Sequence, residues 1–501
     1  MTPQVDVAII GAGFAGLGAA IRLKQRRGTS FIVFERAAQV GGTWRDNVYP
    51  GCACDVPSHL YSLSFAPNPN WSRMYSTQPE IFAYLNDIVD TYQLASAIRY
   101  NTDIIHTAFS ESAGFWTLTD RAGGLTTARV VIGAIGPLNR PSMPTLAGLD
   151  TFTGKAFHSS TWDTTCELAG KRVAVVGTGA SAIQIIPQIA PIVEQLTVFQ
   201  RTAPYITARS DRAVSSTEQR LFRRLPLLQQ AYRSGIYWLN ELRGLSFLGN
   251  ETFNKLGTRL ALRHLYASIS DPVLRAKATP AYKLGCKRVL VSDDYYPALT
   301  RSNVDLVTDS IERVTPTGIL TKDGTERPVD VLIFGTGFVA SEIICDLHIV
   351  GRQGRNLFDQ WLATGPEAHY GITVSGYPNL LFLVGPNTGL GHNSIVHMIE
   401  SQVQYVLGYL DLLDQAGPDA FLDVKPEAQE AYNKGIQEKM AGTVWASGCQ
   451  SWYMDSRGKN TTLWPALTVT YRKATKRVDP ADYEVVPIRY PDPLAVPASP
   501  A

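Results

Sequence analysis

A repeated strand, glycine-rich turn and helix places the strongest constraint on the fold of this chain. The pattern occurs first as VDVAIIGAGFAG, which begins at residue 5, and again as KRVAVVGTGASA, which begins at residue 171. An apolar strand, a G-x-G-x-x-G/A turn and a following helix are typical of a dinucleotide-binding βαβ unit. The sequence therefore predicts an α/β protein with two dinucleotide-binding, Rossmann-like domains.

The first glycine loop has its full sequence context. Gly11 permits the tight turn after the strand, Gly13 lets backbone amides approach a pyrophosphate, and Gly16 lets the helix pack closely on the strand. Glu35 ends the second apolar strand, 24 residues after Gly11, where a carboxylate can accept hydrogen bonds from an adenosine ribose. These four residues are predicted to bind a dinucleotide.

The second glycine loop repeats this design with one change of charge. Gly177 and Gly179 match the first two glycines of the earlier loop, and Ser181 lies where the helix begins. Arg201 stands 24 residues after Gly177, at the offset where the first unit has a carboxylate. A guanidinium binds a 2′-phosphate through charge-assisted hydrogen bonds of about 1.5–3 kcal/mol, whereas a carboxylate repels it. The second nucleotide is therefore predicted to be NADPH.

The order of predicted elements divides the chain into a discontinuous domain and a domain inserted into it. A meander of strands returns to the first sheet, and residues 304–338, from VDLV to VDVLIFGTGF, repeat that meander. We expect residues 1–145 and 335–501 to form one dinucleotide-binding domain and residues 146–334 to form the other. The second domain also carries an insertion at about 210–280, which is predicted to form extra helices; they either cap an apolar substrate pocket or only pack on the domain.

The loop GGTWRDNVYPGCACDVPSHLYS, residues 41–62, carries more polar and aromatic side chains than a connecting loop needs. Thr43, Trp44, Asp55 and Tyr61 are the candidates for contact with a cofactor held by the first domain. The ribityl chain, the pyrophosphate and the ring edge of that cofactor are the groups that these side chains are expected to reach.

The segment FTGKAFHSSTWD, residues 152–163, lies between the two glycine loops and supplies an imidazole, an indole and a carboxylate. We interpret it as the joint between the two domains. It acts either as a hinge whose aromatic side chains fill the seam, or as an element that couples the two nucleotide sites.

Composition favours small-molecule partners. The chain of 501 residues has 46 basic and 44 acidic residues, a net charge of +2, and no long run of either sign, which predicts no nucleic-acid or membrane partner.

The apolar run at residue 5 leaves no room for a signal peptide, and the six cysteines are scattered without CxxC pairs. We therefore expect a cytoplasmic protein with unpaired thiols and no metal site.

The joint and the loop at 41–62 together resemble the Baeyer–Villiger branch of the flavin-dependent monooxygenases. The joint fits the pattern FxGxxxHxxxW(P/D), and the loop fits GGxWxxxxYPGxxxD. The matching positions are Phe152, Gly154, His158, Trp162 and Asp163 in the joint and Gly41, Gly42, Trp44, Tyr49, Pro50, Gly51 and Asp55 in the loop. The similarity runs from about residue 5 to about residue 470.

This resemblance implies a fold of the glutathione-reductase-like flavoprotein type, with FAD in the first domain and NADPH in the second. It also implies that one oxygen atom from O2 is inserted next to a ketone carbonyl, through a C4a-peroxyflavin, to give an ester or lactone. By similarity, Arg288 corresponds to the arginine beside the flavin peroxide, and Asp55 corresponds to the carboxylate that holds this arginine. A fixed cation would favour the peroxide anion and the developing alkoxide.

Four further positions take their expected roles from the same resemblance. Arg201, Thr202 and Lys287 resemble the contacts to the 2′-phosphate of NADPH, and Trp452 resembles a residue beside the nicotinamide. The joint resembles an element that couples the domains and does not itself catalyse the reaction.

Three other functions share parts of this pattern. Oxygenation at nitrogen or sulfur uses the same cofactors, but the related branch that prefers it has Tyr in place of Trp162 and lacks Asp163. A dithiol reductase shares the two-nucleotide fold but needs a cysteine pair beside the flavin, and only Cys52 and Cys54 are close in sequence. A redox sensor would bind FAD and NADP without catalysis, because a dinucleotide fold does not by itself prove a reaction.

Overall fold

The computed structural model describes residues 2–26, 28–339, 344, 346–448, 453–455 and 457–488. The strands of these residues are β1 (Val5–Ile10), β2 (Phe31–Phe34), β3 (Ile98–Arg99), β4 (Ile104–Ser110), β5 (Phe115–Asp120), β6 (Leu125–Gly133), β7 (Lys155–His158), β8 (Arg172–Val176), β9 (Gln195–Phe199), β10 (Ile206–Thr207), β11 (Leu290–Val291), β12 (Val304–Val307), β13 (Ile311–Thr315), β14 (Gly318–Thr321), β15 (Glu326–Pro328), β16 (Val331–Phe334), β17 (His348–Val350), β18 (Leu380–Phe382), β19 (Ala420–Val424) and β20 (Tyr483–Pro487). The α-helices are α1 (Phe14–Gln25), α2 (Thr43–Asp46), α3 (Gln78–Thr91), α4 (Ala182–Ile189), α5 (Ser216–Arg224), α6 (Pro226–Gly244), α7 (Glu251–Ser268), α8 (Pro272–Ala278), α9 (Tyr295–Leu299), α10 (Leu357–Thr364), α11 (Ile395–Ala416), α12 (Pro426–Ala441) and α13 (Thr468–Ala474).

The first sheet joins strands from the two ends of the chain. Its parallel part has the order β3-β2-β1-β6, and β18 adds a further parallel strand beside β6. The beginning of β6 also pairs antiparallel with β5, and β5 pairs antiparallel with β4, which confirms the first predicted meander. The last four residues of β1 are buried, as expected for a central strand that is covered on both faces.

The second sheet is parallel and has the order β12-β9-β8-β16-β7. The predicted second βαβ unit is confirmed, since β8 leads through the second glycine loop into α4 and then into the neighbouring strand β9. The assignment of residues 304–307 to the second meander was wrong. They form β12, which pairs with β9 at the edge of the parallel sheet, and the antiparallel meander consists of β13, β14 and β15.

Part of the joint is an integral strand of the second sheet. Residues 155–158 form β7, which pairs in parallel with β16 from Val331 opposite Lys155 to Phe334 opposite His158. A side chain at Gly154 would overlap the backbone carbonyl of Asp330, so the approach of these two segments requires glycine there. The joint is therefore fixed to the second domain by backbone hydrogen bonds.

The insertion between β10 and β11 is helical, as predicted, and consists of α5 to α8. A capping box begins α5, in which the Ser215 hydroxyl accepts from the amide of Glu218 and the Glu218 carboxylate accepts from the amide of Ser215. The side chains of Asn250 and Asp271 cap α7 and α8. Across the described part of the chain, no helix is both long enough and apolar enough to cross a bilayer.

The two glycine loops are held in a fixed relation by a shared core. Val7 and Ile9 on β1 belong to the same continuous buried cluster as Val173 and Val175 on β8. Each loop follows directly from one of these strands. Packing of the strands thus determines where the two loops lie relative to each other.

Candidate active site

The first glycine loop is shaped to receive an anion. Gly11 has a φ of +106°, and a Cβ atom there would stand 2.5 Å from the carbonyl oxygen of Ala134. A Cβ atom at Gly16 would overlap the carbonyl oxygen of Gly11, so α1 packs directly on the turn. Beside Gly13, by contrast, a Cβ atom would meet only Gly42, at 3.9 Å. This open space lies at the N-terminus of α1, where backbone amides favour a phosphate.

Glu35 lies against this loop, at the position that the sequence predicted. Its buried carboxylate accepts hydrogen bonds from the backbone amides of Ala12 and Ala37, both at 3.0 Å. It also forms an ion pair of 2.7 Å with Arg45, which sequence reasoning did not identify. The charge of Glu35 is therefore held next to the glycine loop by three partners.

The loop at 41–62 packs onto the first glycine loop. The amide of Gly41 donates to the carbonyl of Ala12 at 2.9 Å, and the indole of Trp44 donates to the hydroxyl of Tyr61 at 3.1 Å. The ring of Tyr61 meets that of Phe14 edge to face, with 5.1 Å between centroids. Burial raises the pKa of Tyr61, so its hydroxyl stays protonated. Of the predicted cofactor contacts in this loop, Thr43 begins α2 and is exposed.

Arg288 and Asp55 form an ion pair between the two domains. The guanidinium donates to Asp55 Oδ2 through Nε at 3.1 Å and also through Nη2. The Asp55 carboxylate raises the pKa of Arg288 further above its already high ordinary value, so the side chain remains a cation. Both side chains keep some exposure, which leaves their outer faces accessible to a ligand. The two residues that the resemblance singled out are thus in direct contact.

Two further side chains, those of Arg209 and Tyr453, lie near this pair and were missed by sequence reasoning. Arg209 donates through Nη2 to the carbonyl of Cys54 at 3.1 Å, and its guanidinium lies 5.1 Å from the ring centre of Tyr75. Tyr453 is buried near Arg288, and burial raises the pKa of Tyr453 to about 12. Its neighbour Trp452, the predicted nicotinamide contact, lies outside the described residues.

The second glycine loop repeats the geometry of the first. Gly177 has a φ of +109°, and a Cβ atom there would stand 2.5 Å from the carbonyl oxygen of Gly335. Gly179 is exposed, and Ser181 immediately precedes α4. The exposed loop and the start of α4 form a second location suited to a pyrophosphate.

Gln184 on α4 connects this second unit to the loop at 41–62. Its side-chain amide donates to the carbonyl of Ala53 at 3.0 Å and accepts from the hydroxyl of Tyr49 at 3.1 Å. A Cβ atom at Gly51 would stand 2.7 Å from the backbone oxygen of Gln184. The sequence shows only two glutamines in the otherwise apolar helix AIQIIPQI, and this pattern does not reveal that Gln184 has partners in the other domain.

The three predicted contacts to the 2′-phosphate come together. Lys287 Nζ donates to the hydroxyl of Thr202 at 3.3 Å. Partial burial and the nearby positive charge of Arg201 both lower the pKa of Lys287. Two cations that repel each other at a partly exposed position, together with a hydroxyl, suit an anion such as a phosphate.

The side chains of the joint support its own fold. His158 Nδ1 accepts from the amide of Ser160 at 3.1 Å, and Trp162 meets Phe157 edge to face with 5.1 Å between centroids. Asp163 forms an ion pair of 2.7 Å with Lys155. These contacts lie within the joint and the second domain.

The expectation of unpaired thiols was wrong at Cys286, which is disulfide-bonded. Its bonding partner could not be inferred from the scattered cysteine spacing. Cys52 and Cys54 are free and buried. Burial raises the pKa of Cys52 to about 11 and raises that of Cys54 as well, so both remain protonated thiols. This state does not favour a dithiol reductase, which needs a reactive thiolate.

No group of three or more His, Cys, Asp or Glu side chains that could hold a metal ion occurs among the described residues. His392 and His397 are five residues apart in the sequence, a spacing that does not place them on one helical face. His392 Nε2 instead lies 3.3 Å from Glu241 Oε1, and His397 packs against the ring of Tyr237.

Known proteins that are similar to this chain support this interpretation of the site. The family described as flavin-binding monooxygenase-like matches residues 4–354 of the chain. A Baeyer–Villiger monooxygenase of Pseudomonas aeruginosa is 50% identical, over 96% of this chain and 91% of the relative. A Baeyer–Villiger monooxygenase of Streptomyces coelicolor is 48% identical, over 96% of this chain and 93% of the relative.

A solved structure of OTEMO in complex with FAD and NADP has the same overall fold. It superposes with a TM-score of 0.86 at 28% sequence identity and covers 97% of this chain and 100% of that one. The family match extends over both glycine loops, the joint and the positions of Arg288 and Asp55. The chain therefore belongs to the flavin-binding monooxygenase-like family and, within it, to the Baeyer–Villiger monooxygenases.

Proposed function

We propose that this chain is an NADPH- and FAD-dependent Baeyer–Villiger monooxygenase that inserts one oxygen atom of O2 next to a ketone carbonyl to give an ester or lactone. The observation that carries the proposal is the ion pair of Arg288 with Asp55. It holds a permanent cation beside a loop that packs on the first glycine loop.

The first domain has the features that FAD binding needs. The open space at Gly13 fits a pyrophosphate, with Gly11 and Gly16 shaping the turn, and Glu35 lies where a ribose would be held. We assign Thr43, Trp44, Asp55 and Tyr61 to the remainder of the cofactor. When bound, FAD supplies the electron transfer and the activation of O2.

We assign NADPH to the second domain. Gly177, Gly179 and Ser181 would hold its pyrophosphate at the start of α4. Arg201, Thr202 and Lys287 would bind its 2′-phosphate, because two cations and a hydroxyl offer charge-assisted hydrogen bonds to three phosphate oxygens. By similarity, Trp452 is proposed to lie on the nicotinamide side.

Arg288 has the properties of an electrostatic catalyst. Its charge is fixed in place by Asp55 and stabilises negative charge that develops on oxygen during attack on a ketone. Asp55 also has a supporting role, because an unpaired guanidinium in this setting would be costly to desolvate. The protonated hydroxyl of Tyr61 adds no competing negative charge.

The contacts of the loop at 41–62 with both domains would exclude water from the region between them. Tyr49 and Ala53 are tied to Gln184 on one side, and Trp44 and Tyr61 lie against the first glycine loop on the other. Exclusion of water protects the reactive intermediates of the oxygenation from unproductive decay.

We further propose the domain division as residues 1–145 with 335–501 and residues 146–334. Strands of the first sheet come only from the first two ranges, and those of the second sheet only from the third, within the described residues.

The substrate partners are a small ketone and O2. We propose a cytoplasmic location because Cys52, Cys54 and Cys166 are free thiols, which reducing compartments maintain; the disulfide bond of Cys286 would be an exception there.

The decisive experiment supplies isotopically labelled dioxygen with NADPH and a panel of linear, cyclic and aryl ketones. NADPH consumption that matches formation of an ester with one labelled oxygen is the expected result. A thioether offered in parallel tests the alternative function, oxygenation at sulfur. Formation of sulfoxide with no labelled ester from any ketone would favour heteroatom oxygenation and contradict the proposal.

A further inference from the structure

The solvent-facing side of α6 is apolar although this helix lies on the protein surface. Its exposed residues are Pro226, Leu227, Leu228, Gln230, Ala231, Ser234, Gly235, Trp238, Leu239, Leu242 and Arg243. Leu227 is 79% exposed and Trp238 is 57% exposed. A surface helix normally buries its apolar side chains and turns polar ones to water, so the arrangement in α6 is inverted.

The inner side of α6 is polar and is satisfied by the rest of the protein. Gln229 and Arg233 donate to backbone carbonyls of the first domain, with the shortest distances 2.8 and 2.7 Å. The buried carboxylate of Glu241 accepts from Asn393 at 2.7 Å and from the Thr468 hydroxyl at 2.6 Å. These hydrogen bonds hold α6 in place, so the apolar outer side is not needed to dock the helix on its own protein.

The other two long helices of the insertion, α5 and α7, also expose leucines and carry positive charge. Leu221, Leu256 and Leu260 on α5 and α7 are also exposed. The exposed basic residues of α5 to α7 are Arg220, Arg223, Arg224, Arg243, Lys255, Arg259 and Arg263. Across these three fully described helices the only exposed acid is Glu251, which pairs with Lys283 at 2.5 Å. We call the exposed residues of α5 to α7 the insertion surface.

Although the overall charge of the chain predicted no membrane partner, we propose that the insertion surface binds the headgroup region of an anionic lipid bilayer, with α6 lying in the membrane plane. Leucine and tryptophan beside arginine and lysine are the composition of helices that bind this interface, where apolar side chains enter and cations meet anionic headgroups. A second copy of the chain fits less well, because the basic residues of the two copies would face and repel each other. The contact is peripheral, since no described helix can span the bilayer.

The test is flotation of the full-length, FAD-loaded protein with lipid vesicles. Vesicles of equal parts phosphatidylcholine and phosphatidylglycerol should carry the protein upward, pure phosphatidylcholine should not, and added salt should weaken the binding. The double variant Trp238→Ser with Leu239→Ser should lower the bound fraction by roughly tenfold, because it removes apolar area that would enter the bilayer.

Two further variants keep the test specific. Leu362→Ser changes a leucine on α10 that is 69% exposed but lies outside the insertion surface, and it should float as the wild type does. Arg223→Gln with Arg224→Gln should lower binding to anionic vesicles without touching the apolar stripe. Retention of FAD absorbance by each variant establishes that it is folded.

Several outcomes would overturn the proposal. One is that neither vesicle type carries the wild-type protein upward, and another is that the Trp238/Leu239 variant floats as well as the wild type. A third is a dimer in sedimentation velocity that the same variant dissociates, since a second copy would then cover the surface. The readout does not involve turnover, so each of these results leaves the proposed oxygenation unaffected.

Discussion

The ion pair of Arg288 with Asp55 joins residues 233 positions apart in the chain. Sequence patterns singled out both residues through their resemblance to a family, but the contact between them depends on how the two domains pack. Arg209 and Tyr453 were missed for the same reason. A lone arginine in a polar segment carries no signal of the carbonyl it will meet across a domain boundary.

At the residue scale, Arg201 is predicted to determine the choice of nucleotide. Arg201→Ala should lower kcat/KM for NADPH by about ten- to a hundredfold, because it removes charge-assisted hydrogen bonds of about 1.5–3 kcal/mol to the 2′-phosphate. Steady-state kinetics with NADH provide the internal control, since NADH lacks that phosphate and its kcat/KM should be unchanged. An equal loss with both nucleotides would show that Arg201 has another role.

The lowered pKa of Lys287 predicts that NADPH binding depends on pH. Burial and Arg201 lower its pKa from the ordinary value of 10.5, so the ammonium that we propose to bind the 2′-phosphate loses its proton at a lower pH than an exposed lysine would. KM for NADPH should therefore increase as pH rises through this lowered pKa. In Lys287→Arg the guanidinium keeps its charge, and the increase should disappear. If both proteins gave the same pH profile, another group would be responsible.

Among the secondary-structure elements, the two βαβ units were predictable because their signals are local. A glycine turn, its flanking strands and its helix lie within a few dozen residues, and the structure has them where the sequence placed them. The strand β7 was not predicted, because its partner β16 begins at Val331, far along the chain. The inverted faces of α6 were not predicted either, since helical periodicity defines a stripe without showing which side meets the protein.

A substitution at Gly16 tests the packing of α1 on the first glycine turn. Gly16→Ala would place a Cβ atom on the carbonyl oxygen of Gly11, and such overpacking typically costs about 1–3 kcal/mol. We expect a lower melting temperature and weaker FAD retention. Gly18→Ala, in the same helix, is the matched control, because its Cβ atom would meet the Leu63 side chain at an ordinary 3.4 Å. Equal stability of the two variants would argue against this account of the turn.

At the scale of the whole molecule, the loop at 41–62 connects the two glycine-loop regions. It rests on the first glycine loop through Gly41 and Tyr61, and it reaches the second domain through Gln184 and Arg288. Its sequence indicated that it was more than a spacer. Its simultaneous contact with both domains became evident only from the fold, as did the disulfide bond of Cys286.

We propose that Arg288 serves the oxygen-transfer step and not the reduction of the flavin. The measurement that tests it most directly compares two half-reactions of FAD-loaded Arg288→Ala. One is the anaerobic rate at which NADPH bleaches the flavin, and the other is the yield of labelled ester from a ketone and isotopically labelled dioxygen. Arg121→Ala, which alters an exposed arginine in the β5–β6 turn, is the control.

Bleaching of Arg288→Ala should proceed as in the wild type, because the nucleotide sites are intact. The rate of ester formation should fall by about a hundred- to a thousandfold, the typical effect of removing a preorganised group that stabilises developing negative charge. A wild-type yield of labelled ester from Arg288→Ala would contradict the account.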